Sequence, residues 1–188
     1  LSLPTTKKPG KGRIMNCPIG WQCESDNTEK IKAYKLSAEY TNFHPGTGAA
    51  LDAAIVSAFK RGRPIVFYYW QPSTILGKYD AIRLTETPYN QACWEGITNK
   101  IAEPCPSASP PNTVKVILSR KAMQSDPALV DLATKVNLTL KDVETQLAKI
   151  DDQKISPRQA ASDFIAQNPA LVRSWVPANV AAKVLASK

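Results

Sequence analysis

The chain patterns as an open α/β sheet flanked by helices, with an all-helical stretch behind it, and three features point there. Candidate strands and helices alternate β-α-β-α-β with short connections, the order of a parallel sheet covered by helices. The run Pro64-Ile-Val-Phe-Tyr-Tyr-Trp70 is continuously apolar, β-branched and aromatic, which suits a short buried central strand. Beyond Asn112, Pro127, Pro157 and Pro169 each follow a capping residue (Asp126, Ser156, Asn168), the arrangement of a helix start.

Gly12 to Asn16 reads as a strand entering the Cys17 loop. Asp26 or Asn27 is placed to cap a helix running to about Leu36, with Ile31, Ala33, Tyr34 and Leu36 inward. Tyr40 to Phe43 is a second strand, followed by turn chemistry at Pro45-Gly46-Thr47-Gly48. The stripe Leu51, Ala54, Ile55, Ala58 and Phe59 makes Ala49 to Lys60 an amphipathic helix that stops at Gly62. After the Pro64–Trp70 strand comes a short strand at Ala81–Leu84. Five prolines and the second cysteine pair make residues 85–112 a long loop. Thr113–Leu118 is one more strand, and helices follow at Pro127–Val136, Leu140–Ile150, Pro157–Gln167 and Pro169–Leu185. Residues 1–112 therefore form a sheet-bearing domain, and residues 113–188 a returning strand with a helical part.

Hydrophobic residues make up 43% of the 188 and charged residues 21%, the balance of a water-soluble globular protein. No apolar run approaches the ~20 residues that span a bilayer. Leu1 to Gly12 is polar and basic and lacks the apolar core of a secretory signal, so such a signal would lie upstream or have been removed. The net charge of +8 raises a nucleic-acid reading, but the basic residues are scattered, with small clusters only at Lys7-Lys8, Lys60-Arg61-Gly62-Arg63 and Arg120-Lys121. A nucleic-acid surface concentrates them on a stripe with interleaved aromatics, so no nucleic-acid partner is expected.

The four cysteines fall into two local pairs, Cys17 with Cys23 and Cys93 with Cys105. Neither spacing is a zinc pattern, and His44 is the only histidine, so no metal is expected. Two local disulfides in an oxidising compartment account for the even count; four buried thiols in a cytosolic protein are the alternative. The chain has no G-x-S-x-G elbow, phosphate loop, dinucleotide glycine fingerprint or H-E-x-x-H, and thus no motif for catalysis or a cofactor. A cysteine nucleophile paired with His44 would need a thiolate that a disulfide removes.

The sharpest signal is the pairing of Cys17-Pro-Ile-Gly-Trp-Gln-Cys23 with Phe67-Tyr-Tyr-Trp-Gln-Pro72. On these two motifs the chain resembles the glycine betaine, proline betaine and choline-binding proteins of osmoprotectant ABC importers. His44-Pro-Gly-Thr-Gly-Ala-Ala-Leu51, Gly77-Lys-Tyr-Asp80, Val114-Lys-Val-Ile117 and Asn168-Pro-Ala-Leu-Val-Arg-Ser-Trp175 extend the likeness along nearly the whole chain.

The resemblance implies a type II periplasmic-binding-protein-like α/β fold, present as one complete lobe plus the helical C-terminal part of the second. It implies capture of a quaternary ammonium compound outside the cytoplasm and delivery to an inner-membrane ABC permease and its ATPase. It carries ligand-binding roles onto Trp21, the backbone amides of Gln22 and Cys23, and Trp70.

The chemistry agrees with those roles. A trimethylammonium group donates no hydrogen bond, so its binder relies on aromatic faces, Trp best of all. Amides at a helix start suit a ligand carboxylate. A family segment with a third aromatic wall would precede Leu1, which leaves Tyr69 and Trp94 as substitutes within this chain, while Trp175 reads as core. The competing reading is a secreted, disulfide-stapled interaction or inhibitor domain that uses the aromatic loop on a protein partner.

Overall fold

A computed structural model describes residues 11–187. The polar leader before Lys11, with Lys7-Lys8, lies outside the described residues. Two compact units divide the chain. The first runs to Trp70 and resumes at Ala81–Asn112; the second comprises Gln71–Asp80 and the residues from Thr113 onward.

In the first unit, β1 (Gly12–Met15), β2 (Tyr40–Phe43) and β3 (Val66–Phe67) form a parallel sheet in the order β2-β1-β3. Register sets Met15 opposite both Phe43 and Phe67, so all three strands end level. The amides of Asn16 and Tyr68 extend the ladder one step, to the carbonyls of Phe43 and Met15. The connections are α1 (Gln22–Ala33), a 3₁₀ turn at Leu36–Ala38, and α2 (Gly48–Lys60). Thr47 caps α2 by accepting the Ala50 amide, and the α2 stripe buries Leu51 and Ile55 completely. Gly62, at φ +60°, turns the chain out of α2 in a conformation that glycine adopts without a Cβ penalty.

Several expectations are corrected here. The first helix starts at Gln22, not at Asp26 or Asn27, and ends at Ala33. The Cys17–Cys23 bridge and the Trp21 amide bonded to the Pro18 carbonyl set the chain's entry into the helix, so no side-chain cap is required. Asn27 instead donates to Asn16 Oδ1 at 3.0 Å. Only Val66–Phe67 of the aromatic run is strand, with the Tyr68 amide adding one last bond; Tyr69 and Trp70 run on beyond the C-terminal end of the sheet. Ala81–Leu84 and Thr113–Leu118 pair with no strand among the described residues. Ile82, Val114 and Ile117 are each nearly 90% exposed there, because β-branched residues make a strand only where a ladder and a neighbouring face receive them. The proline-rich loop contains a helix, α4 (Gln91–Thr98), capped by Asn90 and buried through Ile97.

In the second unit α3 (Thr74–Lys78), capped by Ser73, packs on α7 (Leu140–Gln153). A Cβ on Gly77 would sit 2.2 Å from the Glu144 carbonyl oxygen, so only glycine permits this approach. Gln71 Nε2 donates to the buried Glu144 carboxylate at 3.1 Å, and Lys78 bridges Asp151 and Asp152 at 2.7 and 2.5 Å. The other helices are α5 (Arg120–Ser125), α6 (Pro127–Lys135), α8 (Pro157–Gln167), α9 (Pro169–Trp175) and α10 (Ala178–Ala186). Asp126 and Ser156 cap as expected. Asn168 does not: its side chain donates to the Phe164 carbonyl. The single helix expected over Pro169–Leu185 breaks at Pro177, which has no amide proton to continue it.

Candidate functional site

The three strands of the first unit end at one edge of the sheet, and the chain segments leaving that edge carry the candidate residues. This is where open α/β sheets place ligands. β1 runs into the Cys17–Cys23 loop and β3 into Tyr69 and Trp70.

A buried polar network supports the loop from below. Asn16, with no exposed surface, donates through Nδ2 to the Glu24 carbonyl, Thr28 Oγ1 and Asn42 Oδ1 at 3.1–3.3 Å. Its Oδ1 accepts from the Cys17 amide at 2.7 Å and from Asn27. One side chain thus ties β1, β2 and α1 together directly beneath the disulfide. A network in which every member finds a partner rigidifies its surroundings. Gly20, at φ +92°, then turns the loop so that Trp21 leads into α1.

Trp21 and Trp70 come together as an open aromatic pair. Their ring centroids are 5.9 Å apart and the planes are inclined by 54°. Each is a little over 40% exposed, so both indoles keep ring surface open to solvent. Behind Trp21 stands Gly48 in the first turn of α2, where an added Cβ would lie 3.3 Å from Trp21 Cη2. Tyr69 stacks almost flat on Trp70, with centroids 4.3 Å apart and 8° between planes. Its hydroxyl donates to Asp52 Oδ1 at 2.6 Å. Burial first, then that hydrogen bond and the Asp52 charge, push the Tyr69 phenol well above its ordinary pKa, so it stays a protonated donor.

The amide component sits at the start of α1. Trp21 occupies the N-cap position in an extended conformation and supplies no capping side chain, while Gln22 and Cys23 are the first helical residues. Gln22 turns its side chain along the helix to Asp26 at 2.8 Å, away from its own amide. The first-turn N–H groups of a 12-residue helix are therefore presented beside the tryptophan pair, suited to an anionic oxygen. Glu24 in the same turn carries an opposing charge. It is engaged by Thr28 Oγ1 at 3.1 Å and lies 3.3 Å from His44 Nδ1.

Trp94 sits on α4, whose Cys93 is bonded to Cys105, and Trp175 ends α9 in the other unit. The residues that sequence reasoning passed over are Asp52 and Gly48. Asp52 falls on the polar face of α2 with no motif to mark it, and Gly48 reads as turn chemistry within the His44–Leu51 stretch, with nothing to tie it to Trp21.

Comparison with known proteins places the chain in a family. The profile of the substrate binding domain of ABC-type glycine betaine transport systems matches residues 2–167. The glycine betaine/proline betaine-binding periplasmic protein of Salmonella typhimurium is 27% identical over 156 residues, 80% of this chain and 47% of that protein. The glycine betaine-binding periplasmic protein OusX of Dickeya dadantii is 25% identical over 146 residues, 75% of this chain and 44% of that protein. A trimethylamine N-oxide-binding protein of Pelagibacter ubique is 24% identical over 175 residues, 92% of this chain and 52% of that protein. The chain spans about half the length of the curated relatives it matches. These matches do not favour a stapled interaction or inhibitor domain. With its parallel sheet and periplasmic-binding-protein-like α/β fold, this chain belongs to the family of substrate binding domains of ABC-type glycine betaine transport systems.

Proposed function

We propose that the chain is part of an extracytoplasmic solute-binding protein that captures a quaternary ammonium osmoprotectant for ABC-type import. The observation that carries this reading is the open Trp21–Trp70 pair standing beside the uncapped start of α1. The trimethylammonium head rests against the exposed surfaces of both indoles, each desolvated contact contributing about 1–2 kcal/mol. The carboxylate of glycine betaine or proline betaine accepts from the amides of Gln22 and Cys23; choline forgoes that contact. No bond is made or broken. Capture is followed by delivery to an inner-membrane permease driven by its ATPase.

In this reading residues 1–112 contain a complete ligand lobe, and residues 113–188 carry a returning strand and the helical C-terminal part of a second lobe. Two observations support an incomplete second lobe: the relatives are about twice as long, and Thr113–Leu118 exposes β-branched residues that a completed sheet would cover. The two disulfides support an oxidising compartment.

Titration with glycine betaine, choline and trimethylamine N-oxide, followed by tryptophan fluorescence, tests the proposal on a polypeptide of the relatives' full length and on this chain. Saturable quenching or a spectral shift in the longer polypeptide is expected, with a weaker response here because two faces leave the cation partly hydrated. A longer polypeptide that ignores all three ligands overturns it.

A further inference from the structure

We infer that Asp52, on the second turn of α2, is a positioning residue for the aromatic wall: it anchors the Tyr69 hydroxyl, and Tyr69 in turn backs the indole of Trp70. The inference deepens the proposed ligand site and rests on that reading for its function, but its geometry stands independently.

Tyr69 is held at several points of its ring. Its hydroxyl donates to Asp52 at 2.6 Å, the length of a charge-assisted O–H···O⁻ bond. One face lies flat on Trp70, and Phe67 meets the ring at 74° with centroids 6.5 Å apart. Trp70 is consequently packed against Tyr69 and inclined toward Trp21. A ring stacked this closely on its neighbour supports that neighbour rather than forming a free wall, so Tyr69 acts through Trp70 instead of touching the ligand with its own face. An indole more than 40% exposed, three residues beyond the end of β3, lies outside the ladder hydrogen bonds that would hold its backbone and rotamer. Asp52 supplies that fixity from a helix whose first turn also carries Gly48 against Trp21. The same helix thereby sets both members of the pair, which lowers the side-chain entropy lost when a cation enters.

The test uses ligand-free circular dichroism of the chain, because two inclined indoles this close couple their transitions into an exciton couplet. Asp52→Ala and Tyr69→Phe should each reduce the couplet at least two-fold and weaken any choline response about five-fold. Asp52→Asn, which keeps an acceptor and loses the charge that strengthens the bond, should fall between wild type and Asp52→Ala in both. Thermal unfolding checks that each variant is folded, and if Asp52→Ala is not, Tyr69→Phe decides alone. An unchanged couplet in Tyr69→Phe overturns the inference. So does a folded Asp52→Ala variant that keeps the wild-type couplet, since the aromatic pair would then not depend on the anchor. A wild-type response to no quaternary ammonium ligand, even in the longer polypeptide, sinks the ligand reading alone, and the couplet series still decides the inference.

Discussion

Gly48 lacks a side chain where a Cβ would lie 3.3 Å from the edge of Trp21, and Trp21 is itself held within the Cys17–Cys23 loop. At this scale the site is a set of close contacts between named side chains. Truncating Trp70 to Ala in a ligand-competent polypeptide should weaken quaternary ammonium binding about 5–30-fold, the loss of one desolvated aromatic face, by fluorescence or calorimetric titration. Trp21→Ala should behave alike. Trp175→Ala should lower the unfolding temperature and leave the affinity of the folded fraction unchanged, because Trp175 ends a helix of the second unit. Equal affinity in wild type and Trp70→Ala would remove the ligand assignment. All five residues singled out from the motifs lie at the sheet edge, but Asp52 carried no signal: one carboxylate on a helix's polar face is indistinguishable from solvated charge until its partner is seen.

The elements of the second unit depend on close approach and charge. Gly77 brings α3 against the backbone of α7, so Gly77→Ala forces the helices apart and should destabilise the unit by about 1–3 kcal/mol in denaturant unfolding. Lys78 and then Lys154 hold the Asp151 carboxyl down at about 2, against an ordinary value of 3.8. Because the folded pKa is the lower one, this stabilisation is fully present above about pH 4 and is lost as pH falls toward 2. Asp142 shifts in the same direction through its hydrogen bonds from Thr139 in the capping box of α7. Thermal melts across that acid window should therefore show a steeper fall for wild type than for Lys78→Met; parallel curves would mean that the pair contributes nothing to acid sensitivity. The first-turn prolines of α6, α8 and α9 were legible in the sequence because a proline there acts through its own fixed φ and missing amide. The starts of α1 and α4 were not. A covalent bridge closes around each, and the prolines flanking α4 outweighed its short apolar pattern.

Across the whole molecule, the chain crosses between its two units after Trp70, Asp80 and Asn112. Gln71–Asp80, which continues the Trp70 motif in sequence, packs with the distant α7, and no local pattern encodes that choice. Thr113–Leu118 has strand composition without a ladder. Its amides should exchange with solvent almost as fast as an unfolded peptide in this chain, and become protected in a polypeptide of the relatives' length. Equal protection in both would mean that the segment needs no partner strand. The sequence by itself determined what depends on near neighbours and on residue chemistry: the strand at Tyr40–Phe43, the α2 stripe and its stop, the two local cysteine pairs, and the aromatic motifs that mark the family. Tertiary structure alone decided how much of each apolar run becomes strand, that Tyr69 stacks on Trp70, and that its hydroxyl meets Asp52. The reason is physical: caps, turns and amphipathic stripes draw their free energy from residues a few positions apart, whereas ladders, ring stacks and buried polar anchors draw theirs from partners that only the folded chain brings within reach.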